Sequence, residues 1–258
     1  MARDFSVPSI SYLRTSSAQI DLHSKIVAAL KPGILLVPQA MLRQVEAVEA
    51  MSVDKSSPFP GAAYDVVAMA ASAGGLTALS DVLSSLPPNF PATVVIVQHL
   101  DPRHRSLMAE ILDRRTNLNV KQAKQGESLL AGTVYIAPPN KHLLINLDGT
   151  VSLTQSELVH FVRPSADLLF ESVAASYKER AICVILTGTG SDGSMGVRAI
   201  KKMGGTVIAQ DKTTSEFFGM PGAAIDSGSV DFVLPLSEIA SALVTLVMKN
   251  EAEETGKQ

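Results

Sequence analysis

Three side chains that could perform acyl transfer lie at the ends of predicted strands. Ser72 follows a short apolar run and precedes an alanine and two glycines, His99 closes a β-branched run, and Asp192 lies in a glycine-rich turn after a third apolar run. In acyl transfer a serine hydroxyl attacks a carbonyl carbon, an imidazole takes up its proton, and a buried carboxylate holds the imidazole in position. These residue types at these positions predict a serine hydrolase with Ser72, His99 and Asp192 as its catalytic triad.

Each of these residues also has a simpler structural interpretation. A serine or an aspartate just before a helix often does no more than cap it, and a histidine at a strand end is more often structural than catalytic. The interpretation as a triad rests on all three meeting at the edge of the sheet where α/β proteins bind their ligands. The other histidines fit this position less well: His23, His104, His142 and His160.

Backbone amides near Ala73 and Thr189 are candidates for an oxyanion hole, because a helix start offers free N–H groups and the positive end of the helix dipole. The turn Ala73-Gly74-Gly75 could instead bind a nucleotide phosphate, but the glycine spacing of a dinucleotide fingerprint is missing. The chain order Ser, His, Asp differs from the order Ser, Asp, His of α/β-hydrolases, which disfavours an ordinary esterase of that fold. No Cys, His and carboxylate cluster has metal-ligand spacing, so neither a metal nor another cofactor is expected.

The elements that position these residues alternate between predicted strands and predicted helices. This alternation predicts a doubly wound α/β fold with a mainly parallel sheet, helices on both faces and one antiparallel hairpin. The hairpin is indicated by Asp148-Gly149 between two apolar runs. The predicted strands are 65–71, 93–98, 133–137, 143–146, 151–154, 181–186, 206–209 and 232–234, and the predicted helices are 76–86, 107–115, 165–177, 194–203 and 236–249.

Composition excludes several classes of protein. The chain has 46% hydrophobic and 18% charged residues, which is enough apolar material for a real core, and its net charge of −3 gives no electrostatic case for nucleic-acid binding. Cys183 is the only cysteine, so no disulfide can form within the chain, which is typical of a reducing compartment. We find no signal peptide and no apolar stretch that could span a bilayer, and we therefore expect a cytoplasmic protein without membrane insertion.

The regular pattern begins only after a stretch rich in Ser, Pro and Gly, 52–63, which is typical of a linker. We therefore divide the chain into an N-terminal segment and linker of unknown function at 1–63, a catalytic domain at 64–249 and a polar tail at 250–258.

Six stretches, in the same order along the chain, resemble the catalytic domain of the chemotaxis protein-glutamate methylesterases, the CheB type. Any one of these motifs is weak, but six in family order are highly specific. The stretches are Ala71-Ser72-Ala73-Gly74-Gly75, Val97-Gln98-His99, Gly132–Pro138 with His142, Arg163-Pro164-Ser165-Ala166-Asp167, Leu186–Gly193, and Gly219-Met220-Pro221 with Ala224.

The resemblance implies an enzyme that releases methanol from glutamate methyl esters on the helical region of a chemoreceptor, and that also deamidates receptor glutamines. It assigns the triad to Ser72, His99 and Asp192. This chain departs from the family by having Ala73 in place of Thr and Thr189 in place of Met, and its N-terminal segment is too short for a receiver domain. A non-catalytic receptor-binding or scaffold protein of the same fold is the alternative.

Overall fold

The computed structural model describes residues 63–99, 106–159 and 161–248, which lie within one compact unit, Ser56–Gln258. The predicted linker, except for Ala63, and the predicted tail lie outside the described residues. The three-part division of the chain therefore stays a prediction. No helix of the described part is both long and apolar enough to cross a membrane.

The centre of the molecule is a seven-stranded parallel sheet in the order β3-β4-β2-β1-β7-β8-β9. Its central strands are continuous apolar runs, and they are buried throughout because helices cover both faces. The strands are β1 Val66–Ala71, β2 Thr93–Gln98, β3 Asn119–Gln122, β4 Thr133–Ile136, β7 Ala181–Ile185, β8 Thr206–Gln210 and β9 Phe232–Leu234.

Alternating side chains of the central strands point to two separate cores. Val67 and Met69 face the core shared with α1, α2 and α6, whereas Ala68 and Ala70 face the core shared with α3, α4 and α5. Helices therefore pack on both faces, as predicted for a doubly wound fold. The helices are α1 Gly75–Ser84, α2 Met108–Asp113, α3 Ala166–Tyr177, α4 Ser194–Lys202, α5 Gly219–Asp226 and α6 Leu236–Val247.

The predicted hairpin is present as a separate two-stranded antiparallel sheet, β5 His142–Ile145 with β6 Val151–Thr154. Its turn places Gly149 at φ 76°, a backbone conformation that glycine adopts without steric cost. Leu143 and Val151 of the hairpin are buried against the same core as α3. The hairpin thus brings its first residue, His142, next to the start of α3.

Two elements were absent from the sequence interpretation, besides a single turn of 3-10 helix at Lys178–Arg180. Strand β3 is an edge strand with a single buried side chain, Val120, and so it lacks an apolar run. Helix α5 contains Gly219, Pro221 and Gly222, which conceal its helical pattern; Pro221 is tolerated because the first turn of a helix needs no N–H donor. The predicted elements are otherwise confirmed, with ends displaced by one or two residues.

Candidate active site

The register of the sheet brings the ends of three strands together. Ala71 of β1 pairs with Gln98 of β2, so Ser72 and His99 are the next residues on neighbouring strands, which lie about 4.8 Å apart. The His99 amide donates to Ala71 O at 3.2 Å, and the Ser72 amide donates to Thr187 O, beyond the end of β7, at 3.0 Å. Because residues at the same level of a parallel sheet point to the same face, Ser72 and His99 both face the α3 side.

His99 and Asp192 are joined by a hydrogen bond. Nε2 of His99 lies 2.8 Å from Oδ2 of Asp192, and the two side chains are 13% and 4% exposed. The other ring nitrogen, Nδ1, is thereby left for exchange of a proton with a substrate or a nucleophile. Ser72 Oγ makes no hydrogen bond to the residues that the structure describes.

Asp192 is held by donors from the start of α3. Its Oδ1 accepts from Ser165 Oγ at 2.8 Å and from the Asp167 amide at 3.1 Å, and its Oδ2 accepts from the Ala166 amide at 2.6 Å. Burial alone would raise the pKa of Asp192, but the hydrogen bonds from His99, Ala166, Asp167 and Ser165 outweigh it, and the pKa is lowered. The carboxylate is therefore ionised at any pH near neutrality and can hold His99.

The capping role of Asp192 differs from the one that sequence reasoning considered. Asp192 precedes α4, yet it caps α3, while Asp167 in the first turn of α3 accepts from the amides of Met195 and Gly196 at the start of α4. The two carboxylates thus bind each other's helix in a reciprocal arrangement. Capping and orientation of His99 are performed by the same side chain at once.

His142, which fitted the strand-end pattern less well than His99, lies beside the predicted triad in the structure. His142 is buried, its Nδ1 accepts from the Ser165 amide at 3.1 Å, and its Nε2 lies 3.0 Å from the carbonyl oxygen of Glu157. Ser165 is the N-cap of α3, with its hydroxyl also accepting from Leu168 N. The only sequence signal for this cluster was the presence of both residues in the motifs that carry the family resemblance.

The turn that carries Ser72 is braced by two glutamines that were not among the predicted site residues. Gln98 Nε2 donates to the carbonyl oxygens of Ser72 and His99 at 2.7 and 3.2 Å, so one amide group ties the two residues together. Gln210 Oε1 accepts from the Thr187 amide at 2.8 Å, and the Thr187 hydroxyl donates to Ala73 O at 3.0 Å. Both glutamines are buried, so the turn has little freedom to relax.

Close approach of the backbone explains the glycine-rich turn after β7. A Cβ added to Gly188 would lie 2.4 Å from the sulfur of Met220 and 2.8 Å from Cβ of Ser72. Any side chain at this position would therefore have to displace both the Met220 side chain and Ser72.

The amides of Ala73 and Thr189, the oxyanion-hole candidates, make no hydrogen bond to another residue of the described part of the chain. Ala73 is partly exposed and Thr189 is exposed, so both amides lie where a ligand could reach them.

Exposed apolar side chains surround this edge of the sheet. Leu76 lies in the first turn of α1 after Ser72, Met195 lies in the first turn of α4 after Asp192, and Phe217 O accepts from the Gly188 amide. No group of three or more His, Cys, Asp or Glu side chains within 63–99, 106–159 and 161–248 could hold a metal ion. The arrangement is thus a half-open site with polar chemistry at its centre and apolar contacts at its rim.

Comparison with known proteins identifies relatives over most of the described chain. A family model described as CheB methylesterase matches residues 67–243. A putative protein-glutamate methylesterase/protein-glutamine glutaminase of Leptospira interrogans is 42% identical over 187 residues, which cover 72% of this chain and 97% of the relative.

Longer relatives and a solved structure agree with this match. The protein-glutamate methylesterase/protein-glutamine glutaminase of Moorella thermoacetica is 44% identical over 187 residues, 71% of this chain but only 44% of the relative. The crystal structure of the Thermotoga maritima CheB methylesterase catalytic domain is matched with a TM-score of 0.69 and 41% identity, over 72% of this chain and 100% of that one.

Proposed function

Because this chain belongs to the CheB methylesterase family, we propose that Ser72, His99 and Asp192 are the triad with which it hydrolyses methyl esters of protein glutamates. The observation that carries the proposal is the 2.8 Å hydrogen bond between His99 and Asp192 at the strand end next to Ser72. The enzyme is a protein-glutamate methylesterase, and the relatives' names add a glutaminase activity, which we extend to this chain as deamidation of receptor glutamines.

In the proposed reaction, Ser72 Oγ attacks the carbonyl carbon of the γ-methyl ester while Nδ1 of His99 takes up the hydroxyl proton. Asp192 stabilises the resulting imidazolium through Nε2. The tetrahedral intermediate collapses with cleavage of the C–O bond to the methoxy group, which leaves as methanol after His99 returns the proton. Water, deprotonated by His99, then attacks the acyl-enzyme and releases Ser72 and a glutamate carboxylate.

Backbone amides supply the charge stabilisation that this reaction needs. The free amides of Ala73 and Thr189 flank Ser72 on the two turns that meet there, and we propose them as the oxyanion hole. Because the contribution comes from main-chain N–H groups, the family departures at these two positions leave the donors in place.

The substrate is a methylated chemoreceptor-type protein, and we propose that its helical region docks at the apolar rim. Leu76, Met195 and Phe217 form exposed contacts of the kind that receive the apolar stripe of an amphipathic helix. The absence of a disulfide partner for Cys183, which is buried, supports the cytoplasm as the compartment.

The decisive experiment measures methanol release from methylated receptor fragments by the wild-type chain and by Ser72→Ala. We expect the variant to lose about four to six orders of magnitude in turnover and to stop reacting with a fluorophosphonate probe. Ser84→Ala, which removes an exposed serine hydroxyl at the far end of α1, is the matched control and should behave as wild type. Wild-type turnover in Ser72→Ala would refute the triad, and a wild-type chain without turnover would favour the scaffold alternative.

A further inference from the structure

His142 is held between two main-chain groups of opposite character. A carbonyl oxygen, that of Glu157, faces Nε2 at 3.0 Å, and an amide, that of Ser165, faces Nδ1 at 3.1 Å. A carbonyl can only accept and an amide can only donate, so both bonds form only when the ring is neutral with its proton on Nε2. The main chain therefore determines the tautomer of His142.

Ser165 connects this ring to the catalytic carboxylate. Its hydroxyl donates to Asp192 at 2.8 Å, and the two amides that follow it in α3 donate to the same carboxylate. A chain of hydrogen bonds therefore runs from His142 to Ser165, from Ser165 to Asp192, and from Asp192 to His99.

We propose that His142 is a positioning residue for ester hydrolysis, acting on Asp192 through Ser165. The inference rests on the proposed function of Ser72, His99 and Asp192, and it adds a residue that touches neither substrate nor nucleophile. A proton on Nδ1 of His142 would face the Ser165 N–H and break the link.

Burial keeps that proton away. Desolvation lowers the pKa of His142, the bond to the Glu157 carbonyl raises it, the nearby Arg163 guanidinium lowers it, and the Asp192 carboxylate raises it, with a net lowering. The ring is therefore neutral at neutral pH, as the link to Ser165 requires.

Two substitutions of His142 separate positioning from general stability. Asparagine can place its oxygen where Nδ1 lies and keep the bond to Ser165, whereas glutamine can place its nitrogen where Nε2 lies and keep the bond to Glu157. We expect His142→Asn to retain most of the turnover and His142→Gln to lose about 10- to 100-fold in kcat with unchanged KM. Two results would overturn the proposal. One is an equal kcat in the two variants, and the other is a kcat that changes only in parallel with the thermal unfolding midpoint.

A matched control and a direct measurement complete the test. Ser172→Ala removes another hydrogen bond between the hairpin and α3, in which the Ile145 amide donates to Ser172 Oγ at 3.0 Å. This bond lies away from Asp192, so the variant should lower stability without changing kcat. If the His142 variants fail to fold, ¹⁵N spectra of the wild-type protein should still show a neutral His142 with its proton on Nε2; any other form contradicts the proposal. Loss of turnover in Ser72→Ala shows separately that the proposed function holds.

Discussion

Replacing Asp192 with asparagine should damage both the fold and the proposed reaction, because one carboxylate serves both in the mechanism that we propose. It accepts from His99 Nε2, Ser165 Oγ and the amides of Ala166 and Asp167. Asparagine replaces one acceptor oxygen with an NH₂ group, which can only donate. At least one buried donor must then face another donor.

The two orientations of the asparagine have different consequences. With NH₂ in place of Oδ1, the Ser165 hydroxyl can turn to accept, but the Asp167 amide loses its acceptor. With NH₂ in place of Oδ2, the Ala166 amide loses its acceptor and His99 must accept through Nε2, which moves its proton to Nδ1. In that orientation His99 can no longer take the proton of Ser72.

The magnitudes follow from these losses. A buried N–H without an acceptor costs about 1–3 kcal/mol, and removing a negative charge from a helix N-terminus costs about 0.3–1 kcal/mol. We therefore expect Asp192→Asn to lower the free energy of unfolding by about 1–4 kcal/mol. Loss of the charge and of the tautomer should lower kcat by about four orders of magnitude.

Urea unfolding and methanol release test the two effects separately. Ser72→Ala is the control, since Ser72 Oγ has no hydrogen bond within the described chain, and its free energy of unfolding should stay within about 0.5 kcal/mol of wild type. The lowered pKa of Asp192 stabilises the fold above the unfolded-state pKa, about 3.9, and this contribution is lost as pH falls through the folded pKa. The stability gap between wild type and Asp192→Asn should thus be constant near neutrality and shrink in acid. If Asp192→Asn had the same free energy of unfolding as wild type, the capping role would be refuted. If it had the same kcat as wild type, the catalytic role would be refuted.

Four further outcomes are expected. The rate of hydrolysis should fall on acidification, because His99 must be neutral to act as a base; a rate that rises from pH 9 to pH 5 would exclude it from this role. Gly188→Ala should lower turnover by more than tenfold, since its Cβ would lie 2.8 Å from Cβ of Ser72, and unchanged kinetics would contradict the close approach. Gln98→Met should lower kcat and change KM less, because it releases the carbonyl oxygens of Ser72 and His99; steady-state kinetics would show this. A small-molecule phosphodonor should leave the rate of the 258-residue chain unchanged, since 1–63 shows no acidic cluster at the end of a predicted strand; strong stimulation would overturn this interpretation.

Local patterns were sufficient for six of the seven strands of the sheet and for the residues that follow its central strands. Continuous apolar runs predict strands buried on both faces, and residues that follow such runs meet at one edge, which is why Ser72 and His99 could be paired. Ser165 could be recognised as a helix cap because capping depends on neighbours in sequence.

The parts that escaped prediction depend on contacts distant in sequence. His142 and Ser165 are 23 residues apart, and they meet only because the hairpin docks on α3. Capping of the helix that follows Asp192 was the simpler alternative considered for this residue, but its oxygens accept from a helix that begins 26 residues earlier, at Ala166. No periodicity in a single segment encodes such partners.

The reciprocal caps of α3 and α4 set a condition for transplanting this chemistry to another protein scaffold. Copying Ser72, His99 and Asp192 alone would leave the carboxylate without its three donors from α3 and free to rotate. The smallest unit that could be transferred consists of the starts of two helices beside the ends of two adjacent parallel strands. Each helix start must come with a carboxylate that accepts from the backbone amides of the other helix. A designer would have to reproduce that pair of helices before the three side chains could work.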